Sequence, residues 1–220
     1  MHVMDAAQQV LPDRIRACLK PLNADAGLHS SHLPRHSDYD LSGAGEHQPL
    51  RAAAVMVPLV THANGLRVLF TRRTDHLQHH PGQVSFPGGC QEPRDTGPLQ
   101  AALRETEEEI GLDSTYIEPL GLLDDYETVT GYLVTPVVGF VTPGFELRLD
   151  EFEVAEAFEV PLEFLLDQRN QRIGQRHYKG VQRRYYIIEY QGRRIWGATA
   201  GMLMNFYRRL HGLSGPMRPA

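Results

Sequence analysis

Residues 88–112 read GGCQEPRDTGPLQAALRETEEEIGL, a glycine pair followed by a loop and then by a stretch with helical periodicity. Residues 84–86, Val-Ser-Phe, predict a short strand that leads through Pro87 into the glycine pair. Pro98 suits the first turn of a helix, and Gly111 can adopt the left-handed conformation that ends one. The sequence therefore predicts a strand, a glycine loop and a helix over residues 98–110.

Three glutamates share one side of this predicted helix. Because each helical residue turns the chain by about 100°, Glu105, Glu108 and Glu109 fall within an arc of about 100°, whereas Glu107 points elsewhere and is predicted to be solvated. The predicted core-facing residues are Leu99, Leu103 and Ile110. Like charges this close repel, and a hard divalent cation would relieve the repulsion. A solvated acidic stripe is the ordinary alternative for glutamates on a helix.

The same stretch resembles the signature motif of Nudix hydrolases, G-x5-E-x7-R-E-U-x-E-E-x-G-U, in which U is an aliphatic residue. The matching residues are Gly89, Arg104, Glu105, Glu108, Glu109, Gly111 and Leu112. Asp95 stands where the motif has glutamate, and eight residues separate it from Arg104. Thr106 fills an aliphatic position of the motif.

The resemblance implies a fold and a reaction. The implied fold is α+β, an α/β/α sandwich with a mixed β-sheet between helices. The implied reaction is cleavage of a diphosphate linked to another moiety, with Mg²⁺ or Mn²⁺ as cofactor. Glu105, Glu108 and Glu109 are the implied metal ligands and catalytic residues, and Arg104 would orient them. Glu153 is a candidate for the base that takes the water's proton, because many Nudix enzymes draw a further acid from a comparable later segment.

A second motif lies directly upstream of the glycine pair. Residues 71–74 read TRRT and residues 77–89 read LQHHPGQVSFPGG. They resemble the motif L-x-x-H-x-G-Q-[VI]-x-F-P-G-G of the coenzyme A diphosphatase branch, which the eight-residue spacing before Arg104 also fits. The resemblance implies hydrolysis of coenzyme A or a derivative to 3′,5′-ADP and 4′-phosphopantetheine. The candidate substrate-binding residues are Arg72, Arg73, His80, Gln83, Gly88 and Gly89.

Two other functions stay open on the sequence alone. The chain could cleave another diphosphate, such as ADP-ribose, a nucleotide sugar or a dinucleotide polyphosphate. It could also be a Nudix-like module that binds a ligand without turnover. Such modules often lose helix glutamates, whereas this chain keeps all three of Glu105, Glu108 and Glu109.

The composition indicates a folded protein. The chain has 220 residues, of which 41% are hydrophobic and 22% are charged, so wholesale disorder is excluded. A net charge of −5 argues against a general nucleic-acid binder. No apolar run reaches the roughly 18 residues of a membrane span, and the N-terminus lacks an apolar signal core. We therefore expect a cytoplasmic enzyme with a small-molecule diphosphate substrate and no membrane partner; a homodimer is an expectation from the family.

The chain divides into three predicted parts. Residues 1–48 are predicted to form a helix over 13–22 and a polar arm, residues 49–212 the hydrolase domain, and residues 213–220 a tail. The other predicted strands are 52–60, 66–71, 117–122, 132–141, 184–190 and 193–196, and the other predicted helices are 162–167 and 198–210. Asn64-Gly65 predicts a type I′ hairpin turn and Gln191-Gly192 a second hairpin. Asp124, Asp125 and Glu127 are predicted to lie in a solvated loop.

Overall fold

The computed structural model describes residues 6–23, 36–37, 49–178 and 181–213. The helices are α1 (Ala6–Cys18), α2 (Pro98–Ile110), α3 (Leu162–Leu166) and α4 (Gly197–Leu210). The strands are β1 (His36–Ser37), β2 (Arg51–His62), β3 (Gly65–Arg73), β4 (Val84–Ser85), β5 (Gly88–Cys90), β6 (Ile117–Leu122), β7 (Tyr126–Glu127), β8 (Tyr132–Val141), β9 (Val154–Pro161), β10 (Gln171–Tyr178), β11 (Val181–Tyr190) and β12 (Arg193–Trp196). The rest of the predicted arm and tail lies outside the described residues. No helix in the described ranges is long and apolar enough to cross a membrane.

A mixed sheet forms the centre of the protein. Strand β2 runs parallel to β8 and antiparallel to β3 and β5. Strand β3 pairs antiparallel with β9 and β4, strands β6 and β7 pair with β8, and β1 pairs with β7. Strands β10, β11 and β12 form a separate antiparallel sheet. The fold is α+β, as the sequence predicts.

The mixed sheet has a hydrophobic core on each face. Successive side chains of a strand point to opposite faces, and β2 shows this directly. Val57 belongs to the cluster that contains Phe206 of α4, together with buried residues of α1 and α3. Met56 belongs to the other cluster, which contains Ala102 of α2. The sheet thus lies between α2 on one face and α1, α3 and α4 on the other, the predicted sandwich.

Most of the predicted elements are present. Helix α2 and strands β6, β8 and β12 have the predicted bounds, and β2, β3 and β11 extend beyond theirs. Strands β1, β5, β7, β9 and β10 were not predicted. Strands β9 and β10 carry polar or charged residues on both faces, as VAEAFEVP and QRIGQRHY show, so the alternation that marks a strand is weak.

The two predicted hairpins form, but with different turns. Strands β2 and β3 pair as far as His62 opposite Gly65, which confirms the first hairpin. Asn64 does not have a positive φ, so the type I′ prediction is wrong there. At the second hairpin both Gln191 (φ 48°) and Gly192 (φ 79°) are left-handed, which is the geometry of a type I′ turn.

The N-terminal helix packs onto the core. It spans Ala6–Cys18 rather than the predicted 13–22, contains Pro12 in its interior and ends three residues before Pro21. Ile15 is fully buried in the cluster below α4. The carbonyl of Cys18 accepts a hydrogen bond from Arg209 Nε at 2.6 Å, which joins α1 to α4. The described part of the predicted arm therefore caps one face of the sandwich.

Candidate active site

Helix α2 presents its glutamates at the edge of a tightly packed face. The helix ends at Gly111, whose φ of 65° is left-handed and whose N–H bonds to the Glu107 carbonyl. The small Ala102 lies against the sheet, and the Thr106 hydroxyl donates to the Ala102 carbonyl at 2.6 Å, so its polar group is satisfied inside the core. Glu107 is exposed, as predicted. Glu109 is buried and not solvated. The small side chains of Ala101 and Ala102 let the helix lie close to the sheet, so that more of its surface is buried.

Arg104 ties the loop after the glycine pair to the helix. Its Nε and Nη2 donate to the two carboxylate oxygens of Asp95 at 3.1 and 2.9 Å, and Nη2 also donates to the Cys90 carbonyl at 3.0 Å. Its Nη1 donates to Glu105 Oε1 at 2.8 Å and to Glu108 Oε2 at 2.9 Å. The Asp95 side chain is 1% exposed, and its hydrogen bond with Arg104 holds the pKa of this carboxyl below its ordinary value. Asp95, which departs from the motif, is thus the brace of the loop.

The glycine pair allows the loop to touch the helix carboxylates. A Cβ at residue 89 would lie 2.5 Å from Glu105 Oε2, so a larger residue would displace this carboxylate. Gly88 has φ 151°, and a Cβ there would collide with the carbonyl of Ala54. Without a side chain in the way, the main chain reaches the helix, and the Gly88 N–H donates a hydrogen bond to Glu109 Oε2 at 3.3 Å. Both glycines are therefore required by close approach.

Glu109 is buried, and the neighbouring Glu105 is partly buried, with 19% of its side chain exposed. Burial raises the pKa of Glu109 to about 8, opposed by Arg73 and the Gly88 N–H and reinforced by the neighbouring Glu105 and Glu153. The cation at Glu109 is Arg73, whose Nη1 lies 3.7 Å from Oε1. Burial also raises the pKa of Glu105, although Arg104 opposes the shift. The pair would be stabilised in its charged form by an additional cation.

The donor chemistry suits a hard divalent metal ion. Glu109 offers a buried carboxylate and Glu105 a partly buried one, and Glu108 lies at the open side of the same helix with half of its side chain exposed. Carboxylate oxygens are the ligands that Mg²⁺ and Mn²⁺ prefer. In the described ranges no three His, Cys, Asp or Glu side chains converge as a ready metal site, and Arg104 holds one oxygen each of Glu105 and Glu108. The residues fit the ion by chemistry rather than by a preformed cage.

The two predicted arginines point to opposite faces of strand β3. Arg73 lies between Glu109 and Glu153, with Nη2 3.6 Å from Glu153 Oε2. Arg72 bonds to Asp75 at 3.3 Å and lies 3.8 Å from Glu156, away from the glutamates of α2. Neighbouring strand residues necessarily face opposite sides, so this alternation was a signal available in the sequence.

His80 and Gln83, the two other residues predicted to bind substrate, lie in the turn after β3. His80 has a left-handed backbone with φ 57°, and its carbonyl accepts the N–H of Gln83 at 3.2 Å. The Gln83 carbonyl in turn accepts the N–H of Arg73 at 2.9 Å. Gln83 thus braces the end of β3 through its main chain. The structure gathers Glu105, Glu109, Arg73 and the glycine pair, with Glu153 beside them, while the His80 ring is exposed to solvent.

The acidic residues between β6 and β7 do not lie in a solvated loop, so that prediction is wrong. Asp124, Asp125 and Glu127 are all buried. Asp124 pairs with Lys20 at 2.6 Å and with Arg209 at 3.1 Å. Helix α4 covers this segment, which the local sequence does not reveal. Asp124 therefore lies on the α4 side of the sheet, whereas Asp125 accepts a hydrogen bond from Thr135 of β8 at 2.8 Å.

Comparison with known proteins places the chain in a family. A model of the NUDIX domain matches residues 50–181. A protein of Escherichia coli O6:H1 described as "Uncharacterized Nudix hydrolase NudL" is 40% identical over 154 residues, 70% of this chain and 79% of that protein. A protein of the same description from Enterobacter sp. (strain 638) is 40% identical over 159 residues, with the same shares of each chain covered. Among solved structures, the MutT protein from Methanosarcina mazei Go1 superposes with a TM-score of 0.49 and 19% identity, over 78% of this chain and 100% of that one. The chain belongs to the Nudix hydrolases, enzymes that act on diphosphate bonds.

Proposed function

We propose that this enzyme hydrolyses the diphosphate of coenzyme A or of one of its derivatives. The products would be 3′,5′-ADP and 4′-phosphopantetheine or its acyl form. The observation that supports the chemistry is that burial raises the pKa of both Glu105 and Glu109, two carboxylates that lie against the main chain of two glycines. The choice of coenzyme A rests on residues 77–89 and on the eight-residue spacing between Asp95 and Arg104.

In this proposal Glu105, Glu108 and Glu109 hold Mg²⁺ or Mn²⁺. The bound ion would supply neutralisation of the diphosphate oxygens and a lower pKa of the attacking water. Arg104 orients Glu105 and Glu108 through its Nη1, while its bond to Asp95 fixes the guanidinium. This fixed orientation of Glu105 and Glu108 suits metal binding, because a small displacement of a metal ligand lowers the catalytic rate.

The other residues bind substrate or move a proton. Arg73 is the proposed phosphate contact on the glutamate side, since its guanidinium already lies between two carboxylates there. Glu153 is the proposed base, because it lies at this cluster and is half exposed to solvent. The proposed substrate-binding set is Arg72, Arg73, His80, Gln83, Gly88 and Gly89. Within it, Gln83 acts through the main chain of Arg73, and the glycines allow the diphosphate to approach the backbone.

Product identification tests the proposal most directly. Incubation of the full-length enzyme with coenzyme A and Mn²⁺ should release 3′,5′-ADP and 4′-phosphopantetheine, and excess chelator should stop the reaction. A panel of ADP-ribose, nucleotide sugars and dinucleotide polyphosphates should be cleaved with lower kcat/KM. A large preference for ADP-ribose over coenzyme A would overturn the substrate assignment but leave the diphosphatase chemistry standing.

A matched pair of variants separates catalysis from binding. Glu108→Gln removes a proposed metal ligand, whereas Glu107→Gln makes the same change on the exposed side of the same helix. We expect a loss of several orders of magnitude in kcat for the first and a change within about twofold for the second. Equal rates for the two variants would remove the carboxylate assignment.

A further inference from the structure

An exposed aromatic ring stands next to the glutamate site. Phe152 is 65% exposed, more than the two other exposed large hydrophobic residues of the described ranges, Ile173 and Leu213. Water around a phenyl ring is unfavourable, so a ring held in this way is available to a ligand. Phe152 has no part in the chemistry described above.

The backbone that carries this ring is fixed. The N–H of Phe152 donates to Asp150 Oδ1 at 3.0 Å, and its carbonyl accepts the hydroxyl of the buried Thr74 at 2.8 Å. The next N–H along the chain, that of Glu153, donates to the Asp150 carbonyl at 3.0 Å. The exposure of Phe152 is therefore a property of an ordered turn.

The same turn is bonded to the glutamate site from two sides. The N–H of Asp150 donates to the main-chain carbonyl of Glu109 at 2.9 Å. Glu153, which directly follows Phe152, reaches to 3.6 Å from Arg73. Phe152 is two residues after Asp150, and a residue spans at most about 3.6 Å. The backbone of Phe152 therefore lies within about 7 Å of Asp150, whose N–H is bonded to Glu109. The turn that carries the ring thus adjoins both Glu109 and Arg73.

A second ring supports the first. His76, in the turn after β3, meets Phe152 with ring centroids 5.0 Å apart and planes at 60°, an edge contact. This contact restrains the Phe152 ring, and Phe152 is still 65% exposed. The two rings come from different turns that both adjoin the end of β3.

We propose that Phe152, restrained by His76, is the stacking platform for the adenine base of the substrate. The identity of the base rests on the proposed coenzyme A substrate; the platform itself would serve any nucleoside diphosphate derivative, because every base has a π-face. Stacking is equally strong in the ground state and in the transition state, so the platform acts on KM and not on kcat.

The test uses product binding, which does not require turnover. The affinity of the full-length enzyme for 3′,5′-ADP and for 4′-phosphopantetheine is measured by calorimetry in wild type, Phe152→Leu, Phe152→Tyr and Ile173→Ala. Leucine keeps an apolar side chain but lacks a ring, tyrosine keeps the ring, and Ile173 is an exposed apolar residue on β10 that serves as the matched control. The kcat and KM for coenzyme A are measured with the same four proteins.

We expect Phe152→Leu to weaken 3′,5′-ADP binding and to raise KM by about tenfold, with kcat unchanged and 4′-phosphopantetheine binding unchanged. Phe152→Tyr and Ile173→Ala should match wild type. Equal affinity for 3′,5′-ADP in Phe152→Leu and wild type overturns the platform, and so does an equal loss in the tyrosine variant or for 4′-phosphopantetheine. No binding of 3′,5′-ADP by wild type overturns it as well. If wild type binds 3′,5′-ADP through Phe152 but does not cleave coenzyme A, the platform stands and the proposed substrate fails.

Discussion

Glu109 and Asp124 are buried to nearly the same degree, with side chains 7% and 6% exposed, on opposite faces of one sheet. Asp124 has Lys20 at 2.6 Å and Arg209 at 3.1 Å. Glu109 has an arginine at 3.7 Å and one N–H at 3.3 Å. The two carboxylates are thus alike in burial and differ in the supply of nearby positive charge, and we propose that this difference separates a functional carboxylate from a structural one.

The difference assigns the two carboxylates different tasks. Asp124 joins the segment after α1, through Lys20, to α4, through Arg209, and its charge is compensated inside the protein. Glu109 has less positive charge around it, so burial raises its pKa to about 8 and the group keeps its proton at neutral pH until a cation binds. The contrast predicts that changes at the two positions act on different observables, activity at Glu109 and stability at Asp124.

The largest expected effect is on the rate at Glu109. Glu109→Gln keeps the size of the side chain and removes the charge, so kcat should fall by at least about a thousandfold with any diphosphate substrate. Initial rates at saturating Mn²⁺ measure it. Asp124→Asn, the equivalent change on the other face, should leave kcat within about threefold below the melting range. Comparable losses at the two positions would mean that the comparison does not identify the active site.

The next effect is the pH dependence of stability without metal. The pKa of Glu109 is raised from 4.5 to about 8, so the folded protein holds a proton that the unfolded chain has already lost. Stability from this group is therefore greatest below pH 4.5 and falls as the pH rises towards 8, by up to about 5 kcal/mol. Urea unfolding in chelator at pH 5 and pH 8.5 should show a steeper fall for wild type than for Glu109→Gln.

Added Mn²⁺ provides the control for this pH dependence. A metal ion binds the deprotonated carboxylate, so it should stabilise the wild type most at high pH and reduce the slope. The Glu109→Gln variant should gain less stability from the ion. Parallel pH profiles of wild type and variant in chelator would contradict the raised pKa.

Local signals in the sequence predict the position of Glu109 on its helix much better than they predict the burial of Asp124. Helix α2 has the predicted bounds because its start at Pro98 and its stop at Gly111 are local signals, and periodicity then groups Glu105 with Glu109. The burial of Glu109 was missed because it depends on how closely the helix approaches the sheet. The burial of Asp124 depends on Arg209, which is 85 residues further along the chain. No short-range pattern carries that information.

Arg104 offers a similar comparison for a cation, because it forms ion pairs with Asp95, Glu105 and Glu108. Arg104→Met leaves the buried Asp95 without its partner and should cost about 3 kcal/mol of unfolding free energy. Arg94→Met makes the same change at an exposed arginine that pairs with Glu92 and Glu108, and should cost less than about 1 kcal/mol. Urea midpoints at pH 7 distinguish the two. A loss at Arg94 as large as at Arg104 would show that the exposed pairs, and not the Asp95 brace, hold the loop.

The smallest expected effect concerns Asp124, the carboxylate compared with Glu109 at the start. Asp124→Asn leaves Lys20 and Arg209 partly buried without their counterion, and should lower the unfolding free energy by about 2 kcal/mol. Asp13→Asn, an exposed position on α1, is the matched control and should stay within about 0.5 kcal/mol of wild type. Because Lys20 and Arg209 tie the N-terminal segment to α4, hydrogen exchange in α1 should speed up in Asp124→Asn and stay unchanged in α2. Faster exchange in α2 instead would mean that Asp124 supports the glutamate site, and the two carboxylates would then be parts of one network.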